Sequence, residues 1–427
     1  MRMRAMTGDA ALVERFGSPL YVYELEQVSD AVRELRATLP APATVYYSLK
    51  ANPHPDLARQ ARESGCRAEV SSEGELAAAL GAGFPGHECL YTGPAKSPVE
   101  VDAALAAGVS LFSVESAADL RRTAALAAAA GRTVDCLIRI AGSASAASAL
   151  RMTGGATQFG VEAAEVFAEP SRFRDLDGAR VIGGHFFPIS NARDEQGLTA
   201  EFIASISLAA RLRDEAGLRM SYVDLGGGFA APYAQPGAAP AYPGVRSTVE
   251  RALDDHLPGW RAGDPVVAFE SGRRIVGASG RLVCSVVDVK RRADRTFVVL
   301  DSGINHLGGL SGIGRMLPSA VPVPVAVRAS SGDDPAEVTI TGPLCTPADV
   351  LARAVRMSRP VPGDLLTFPN VGAYGMTASL TGFLSRPAPV EVVLRGGGVV
   401  SASRLAHHRE PTRHTARVTP GARMADG

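Results

Sequence analysis

The sequence predicts an α/β protein: a (β/α)8 TIM-type barrel followed by a C-terminal antiparallel β domain, to which the N-terminal segment contributes. Three observations carry this. Through the first two-thirds of the chain, eight short apolar runs alternate with helical, alanine-rich stretches. Eight strands separated by helices suggest a closed parallel barrel, with a doubly wound sheet as the rival that periodicity does not exclude. From about Gly277 the texture changes to valine-rich runs separated by glycine, proline and aspartate, which reads as antiparallel sheet. Ahead of the barrel lies one further strand and helix, assigned to the second domain. The expected divisions are 1–40 for the N-terminal segment, 41–275 for the barrel, 276–404 for the β domain and 405–427 for a flexible tail.

In chain order, Leu20–Tyr23 reads as a strand and Leu25–Leu39 as a helix. The barrel runs are Thr44–Leu49, Arg67–Val70, Cys89–Thr92, Ser110–Val114, Val134–Ile140, Val181–His185, Tyr222–Leu225 and Val266–Glu270. Between them, a segment such as Thr199–Gly217 places Phe202, Ile206, Ala209 and Leu212 on one face, with Gly217 as the stop. The β domain comprises LVCSVVDVK, TFVVLDSG, PVPVAVRA, AEVTITGP, DLLTFPN and PVEVVLRGG. AALAAAAG fits a helix and GSASAASA a loop, and the polar end from about Leu405 reads as loose.

Composition narrows the function. In 427 residues there are 44 basic and 44 acidic side chains. Zero net charge argues against a nucleic-acid surface, which rests on many phosphate contacts. No apolar run approaches the ~20 residues that span a bilayer, so no membrane role is expected, and the first residues do not read as a secretory signal. Cys66, Cys89, Cys136, Cys284 and Cys345 form neither a disulfide framework nor a zinc pattern, which points to a reducing, cytoplasmic compartment. The histidines show no metal-ligand spacing, so no metal is expected. Only Lys50, Lys96 and Lys290 are lysines. Chemistry that needs a primary amine therefore has three candidates.

In a parallel barrel, reactive groups gather at the C-terminal ends of the strands. Lys50 closes the first run, where desolvation would lower its pKa and favour a Schiff base; the bland alternative is a lysine snorkelling from the rim. Lys96, in TGPAKSP, reads as a solvated loop lysine, and Lys290 as part of a polar surface turn. His185 ends the sixth run. Asp224–Phe229 reads DLGGGF, whose glycines would turn N–H groups toward an anion, or merely serve a tight turn. Glu270 ends the eighth run and needs a positive partner, for which Arg273 and Arg274 are the local candidates. Together these supply what pyridoxal phosphate requires: an amine for the aldehyde, a ring to stack, amides for the phosphate and a carboxylate for the pyridine nitrogen.

The ordered set YYSLKAN, AEVSSEGEL, LYTGPAK, QFGVE, GGH, DLGGGF, ESGR, GPLC and GAYG resembles the fold-type III pyridoxal-phosphate decarboxylases, the family of diaminopimelate and ornithine decarboxylases, over about residues 18–400. The resemblance implies a homodimer with shared active sites. It implies that Lys50 bonds the cofactor aldehyde, with Glu69 as an acidic neighbour. His185 would stack on the ring and Glu270 would keep the pyridine nitrogen protonated. Ser190, Gly226, Gly227, Gly228, Gly272, Arg273 and Tyr374 would surround the phosphate. Cys345 would reach in from the partner subunit to protonate the carbanion. Arg273, Asn305, His306 and Thr346 would border the substrate.

Departures bear on the substrate. HFFPIS has a longer spacing between histidine and serine than the family's usual run. Diaminopimelate decarboxylases place an acid after the cysteine; here Thr346-Pro347 follows. They also carry an arginine and a tyrosine where this chain has LDSGINHLGGLSGIGRML, whose Gly308, Gly309 and Gly312 suggest room rather than charge. A zwitterionic distal group would find no partner, which disfavours diaminopimelate. This stretch, with RMTGGATQFGVE, GPLCTPAD, GAYGMTAS and FLSRP, is more similar to a secondary-metabolism subgroup that includes decarboxylases of glutamyl groups held on acyl-carrier proteins, as in butirosin biosynthesis. The substrate expected is thus an amino acid or amino-acyl group, free or on such a carrier. The rivals are a decarboxylase of a free basic amino acid, a racemase on the same cofactor, and a non-catalytic regulatory homologue. A nucleotide-binding reading of DLGGGF lacks the required glycine spacing.

Overall fold

The computed structural model describes residues 8–141, 158–187, 189–308, 321, 323–325, 335–409 and 411. Strand β1 (Leu20–Glu24) precedes eight strands that close into a parallel barrel: β2 (Thr44–Ser48), β3 (Arg67–Val70), β4 (Cys89–Tyr91), β5 (Leu111–Val114), β6 (Val134–Ile140), β7 (Ala179–Phe186), β8 (Tyr222–Asp224) and β9 (Val266–Ser271). Each of the eight apolar runs is a barrel strand, and β9 pairs with β2 to close the ring, which removes the doubly wound alternative.

The helices between strands start where the sequence provides caps. Ser72, Ser97 and Ser116 each accept a backbone N–H in the first turn, and Ser97 with Glu100 forms a capping box. The helix expected over Thr199–Gly217 runs Glu195–Asp214, because the Asp194 carboxylate accepts the N–H groups of Gln196 and Gly197 and starts it earlier. Gly217, at φ +60°, then turns the chain toward β8.

The barrel lumen is filled by a layer of side chains with two-residue spacing along the strands. Tyr46, Leu90, Leu111, Leu137, Tyr222 and Ala268 form one buried cluster, and the Tyr46 and Tyr222 hydroxyls meet at 2.6 Å. Two residues further toward the C-terminal ends, the same faces carry Ser48, Thr92, Ser113, Arg139, Asp224 and Glu270.

The second body is a nine-stranded sheet built from β1 and β10 (Gly280–Arg292), β11 (Arg295–Leu300), β12 (Val323–Val325), β13 (Pro335–Thr341), β14 (Val350–Ser358), β15 (Leu365–Phe368), β16 (Val390–Arg395) and β17 (Gly398–Ser403). β1 lies between β10 and β16, so the N-terminal strand is part of this sheet. Most pairs are antiparallel, but β1–β16 and β11–β13 are parallel. Two strands lay outside the predicted runs. β14 interrupts its apolar residues with Arg353 and Arg356, and β17 follows a glycine turn and carries Ser401 and Ser403 among its apolar residues. Of PVPVAVRA, only Val323–Val325 is described. GSASAASA, RMTGGAT, Gly309, Gly312 and most of the C-terminal end lie outside the described residues; 405–409 are neither helix nor strand. Among the described residues, no helix is long and apolar enough to cross a membrane.

Two lysines part company here. Lys290 is exposed beside Asp288, as its polar hairpin suggests. Lys96 corrects the solvated-loop reading. It is 2 % exposed. Its ammonium donates to the Gly93 carbonyl at 2.6 Å and pairs with Asp119 at 2.9 Å. A loop composition does not reveal that a neighbouring helix brings a carboxylate beneath it. Gly308 is a second correction. Its Cα faces the backbone of Ala378 so closely that no Cβ would fit, so this glycine serves close packing rather than an open entrance.

Candidate active site

β2 ends in a short 3-10 turn, Leu49–Ala51, that lifts Lys50 above the lumen. The turn is held from both sides. Tyr47 donates to the Asn52 carbonyl, Asn52 Nδ2 donates to the Gly372 carbonyl at 2.8 Å, and the Ala51 carbonyl accepts the Tyr374 N–H at 2.8 Å. Gly272 packs beneath it, where a Cβ would stand 2.6 Å from that of Ala51. Lys50 is 40 % exposed, its Nζ lies 3.5 Å from Glu69 Oε2 and 5.2 Å from the Phe187 ring centroid.

The charge state of Lys50 differs from the sequence expectation. Desolvation pulls its pKa down, but Glu69 and then Glu270 outweigh that and leave the ammonium favoured, with the pKa raised. Burial penalises the Glu69 carboxylate in turn; Lys50, Thr92 and Ser48 overcome this and hold it below the usual carboxylate range. Thr92 and Ser71 donate to Glu69 Oε1, which leaves Oε2 to the amine.

Across the lumen, His185 on β7 is held between two strands. Its Nδ1 meets Ser113 Oγ at 2.7 Å, and its Nε2 stands 3.2 Å from Glu270 Oε1. That second contact lacks hydrogen-bond alignment, so Glu270 Oε1 is buried without a hydrogen-bond partner. The local arginines are engaged elsewhere: Arg274 pairs with Glu34, and Arg273 stacks over Tyr374 with 4.7 Å to the ring centroid. The partner expected for Glu270 is therefore replaced by a histidine from another strand. Asp224 completes the group. His185, Asp224 and Glu270 bring ligand-type atoms within 4.8 Å of one another, a proximity that linear spacing does not reveal. Burial and then Glu270 push the Asp224 carboxyl up to about 7. Its Oδ1 accepts the Gly226 N–H at 2.8 Å.

Gly226 and Gly227 fold tightly against the strand ends, with their Cβ positions blocked by the carbonyls of Phe186 and Glu270. These glycines are thus required by the loop's own packing. The segment around Ser190 runs beside the same loop: Ala192 donates to the Gly228 carbonyl at 2.8 Å. Tyr374 stands at φ +56°, an uncommon conformation for a non-glycine residue, and Tyr233 donates to its carbonyl at 3.2 Å.

The remaining predicted residues lie in the β domain. Cys345 is exposed in the loop between β13 and β14. Thr346 follows it and accepts from the Ala348 N–H at 3.3 Å. Asn305 and His306 are buried, and Asn305 Nδ2 meets His306 Nε2 at 2.9 Å while Asn305 Oδ1 has no hydrogen-bond partner. Burial draws the His306 imidazole down to about 4. Asp349 ties the two loops together by accepting the Ile304 and Leu344 N–H groups at 2.9 and 2.7 Å. No hydrogen bond or ion pair joins Cys345 to Lys50 among the described residues. Sequence reasoning missed Arg139, on β6. It pairs with Glu115 at 2.7 Å, lies over Phe159 and contributes positive charge to the Lys50 environment. The signal was present: Arg139 stands two residues after the lumen residue Leu137, as Glu270 stands two after Ala268.

An amine at the end of β2, a carboxylate beside it and a buried, unpartnered carboxylate oxygen opposite could hold an aldehyde cofactor with a protonated ring nitrogen. Residues 25–277 match the family described as pyridoxal-dependent decarboxylase, pyridoxal binding domain, and the chain belongs to that family. It is 32% identical to the L-glutamyl-[BtrI acyl-carrier protein] decarboxylase of Niallia circulans over 394 residues, 91% of each chain. It is 27% identical to a diaminopimelate decarboxylase of Bacteroides thetaiotaomicron over 369 residues, 84% of this chain and 91% of that one. Lysine decarboxylase from Selenomonas ruminantium superposes with a TM-score of 0.76 at 25% identity, covering 92% of this chain and 96% of the other. The protein is a pyridoxal-phosphate-dependent amino-acid decarboxylase.

Proposed function

We propose that this enzyme removes the α-carboxylate of a glutamyl group presented on an acyl-carrier protein, in a cytoplasmic, secondary-metabolic pathway. The observation that carries the reading is the 32% identity to the carrier-dependent relative across 91% of both chains. The site supports it. No carboxylate follows Cys345 to hold a distal ammonium, and the nearby Asp349 carboxylate is committed to two backbone amides.

Bound pyridoxal phosphate supplies the electron sink that lets the Cα–carboxylate bond break. Lys50 anchors its aldehyde, and Glu69 Oε2, 3.5 Å from Nζ, positions the amine. Glu270 holds a proton at the ring nitrogen. His185, fixed by Ser113, forms the flat support for the ring. Ser190, Gly226, Gly227, Gly228, Gly272, Arg273 and Tyr374 surround the phosphate, and Arg273 also faces the substrate. Asn305, with His306 behind it, and Thr346 border the substrate's far end. Cys345, exposed on its loop, belongs to the site of a second copy in a homodimer, where its thiol gives a proton to Cα.

The test is to supply the holoenzyme with free diaminopimelate, lysine, ornithine and glutamate, and with glutamyl-carrier protein, while following CO2 and product mass. Efficient turnover of the free basic amino acids with no reaction on the carrier overturns the proposal. Inversion without CO2 release would assign a racemase instead.

A further inference from the structure

We infer that the outer face of the β10–β11–β13–β14 half-sheet is the docking surface for the acidic carrier protein, an inference that rests on the carrier reading above. Burial alternates along β13 and the second half of β11. Val298, Val338, Ile340 and Ala352 face the core, whereas Lys290, Arg292, Arg295, Glu337, Arg353 and Arg356 are exposed. The register lines them up: Lys290 opposes Phe297, Arg292 opposes Arg295, and Glu337 opposes Arg356. Among the described residues, Asp288 and Glu337 are the acids of this outward set, against five bases.

The arrangement is poor for stability alone. Like charges directly opposite across strands, as Arg292 and Arg295 are, weaken a sheet. None of Arg292, Arg295, Arg353 and Arg356 has an ion-pair partner among the described residues. At β14, two residues, Arg353 and Ala354, oppose the single Thr339 between the Ile340–Ala352 and Val338–Val355 pairs. Ala354 adopts φ +55° there. Such a bulge re-aims side chains at a sheet edge, and β14 is the edge strand.

The position suits delivery. The loop that carries Cys345 joins β13 to β14, so Arg353 and Arg356 share a hairpin with the group proposed to meet the substrate. At about 3.3 Å per residue, Arg353 and Arg356 stand roughly 10 and 20 Å along β14 from the loop's end at Val350. A carrier bound there would present its tethered glutamyl group toward Cys345 on a flexible arm.

The experiment compares wild-type holoenzyme, the Arg353→Glu/Arg356→Glu double variant and the Arg353→Lys/Arg356→Lys variant. Substrates are acyl-carrier protein loaded with L-glutamate through its γ-carboxyl, which leaves the α-carboxylate free, and the same γ-glutamyl thioester on pantetheine alone. The charge reversal should raise KM for the carrier substrate at least about tenfold and remove its salt dependence. It should leave kcat/KM on the pantetheine thioester, cofactor absorbance and subunit count unchanged, and the lysine variant should behave as wild type. Equal carrier kinetics in all three proteins overturn the docking surface while the proposed substrate stands. A change of subunit count on charge reversal assigns the face to a contact between copies and also overturns it. A wild type that ignores the carrier but decarboxylates a free amino acid overturns both.

Discussion

At the residue scale, function turns on which groups hold protons. Lys50→Ala should lose covalent, borohydride-fixable attachment of pyridoxal phosphate, measured by absorbance and mass. Glu270→Gln should keep the cofactor but lower kcat by about 100–1000-fold, the size expected for removing one preorganised electrostatic group. Retained turnover would remove Glu270 from the role. Asp224 makes a pH prediction. Its carboxyl is raised from 3.8 to about 7, mainly by burial, so the folded state holds this proton more tightly than the unfolded chain. That contribution to stability is complete below about pH 4 and is lost as the pH rises to about 7. Asp224→Asn keeps an acceptor for the Gly226 N–H and should flatten thermal stability against pH across this window, with a gain above it. An unchanged slope would assign the proton elsewhere. His306 runs the other way: its imidazole, drawn down to about 4, supports the fold above about pH 6.5 and withdraws that support as the pH falls.

At the scale of elements, the site follows from the two-residue period of the barrel strands. One lumen position is apolar and closes the barrel floor; the next, two residues on, is polar and reaches the mouth. This places Ser48, Glu69, Thr92, Ser113, Arg139, His185, Asp224 and Glu270 on or just past the C-terminal ends of eight different strands. The turn after β2 depends on its supports. Gly272→Ala would push a methyl group against Ala51 and Ser48 and should misplace Lys50, seen as weakened cofactor binding in a protein that still folds. The Lys96–Asp119 pair has a structural role. Lys96→Met leaves Asp119 buried beside Arg122 alone and should cost roughly 3–5 kcal/mol at most, read as a lower denaturation midpoint with little change in KM. The lysine's burial was not legible in TGPAKSP, since the paired acid comes from a helix more than 20 residues later.

At the scale of the whole molecule, the exposed Cys345 loop and the Lys50 turn are brought to one reaction by the proposed dimer. Mixing inactive Lys50→Ala with inactive Cys345→Ala protein should restore roughly a quarter of wild-type activity, because half of randomly paired dimers carry one intact site of two. No recovery after subunit exchange would place both groups in one chain. Much of this molecule was legible beforehand. The eight barrel strands, most strands of the β domain and the joining of the N-terminal strand to the second sheet followed from hydrophobic period and chain order, which each element keeps by its own geometry; closure of the ring over a doubly wound sheet was decided by the pairing of β9 with β2. Lys50, His185, Glu270 and the glycine loop could be named because strand ends are recognisable and a primary amine was scarce. What only the tertiary structure decided was pairing: that His185 rather than Arg273 or Arg274 faces Glu270, that Glu69 and Glu270 raise rather than lower the Lys50 pKa, that Lys96 is buried, and that Gly308 is packed. The reason is physical. A residue's type and period depend on its near neighbours in sequence, whereas charge state and burial depend on groups supplied by other strands, whose distances exist only once the barrel has closed.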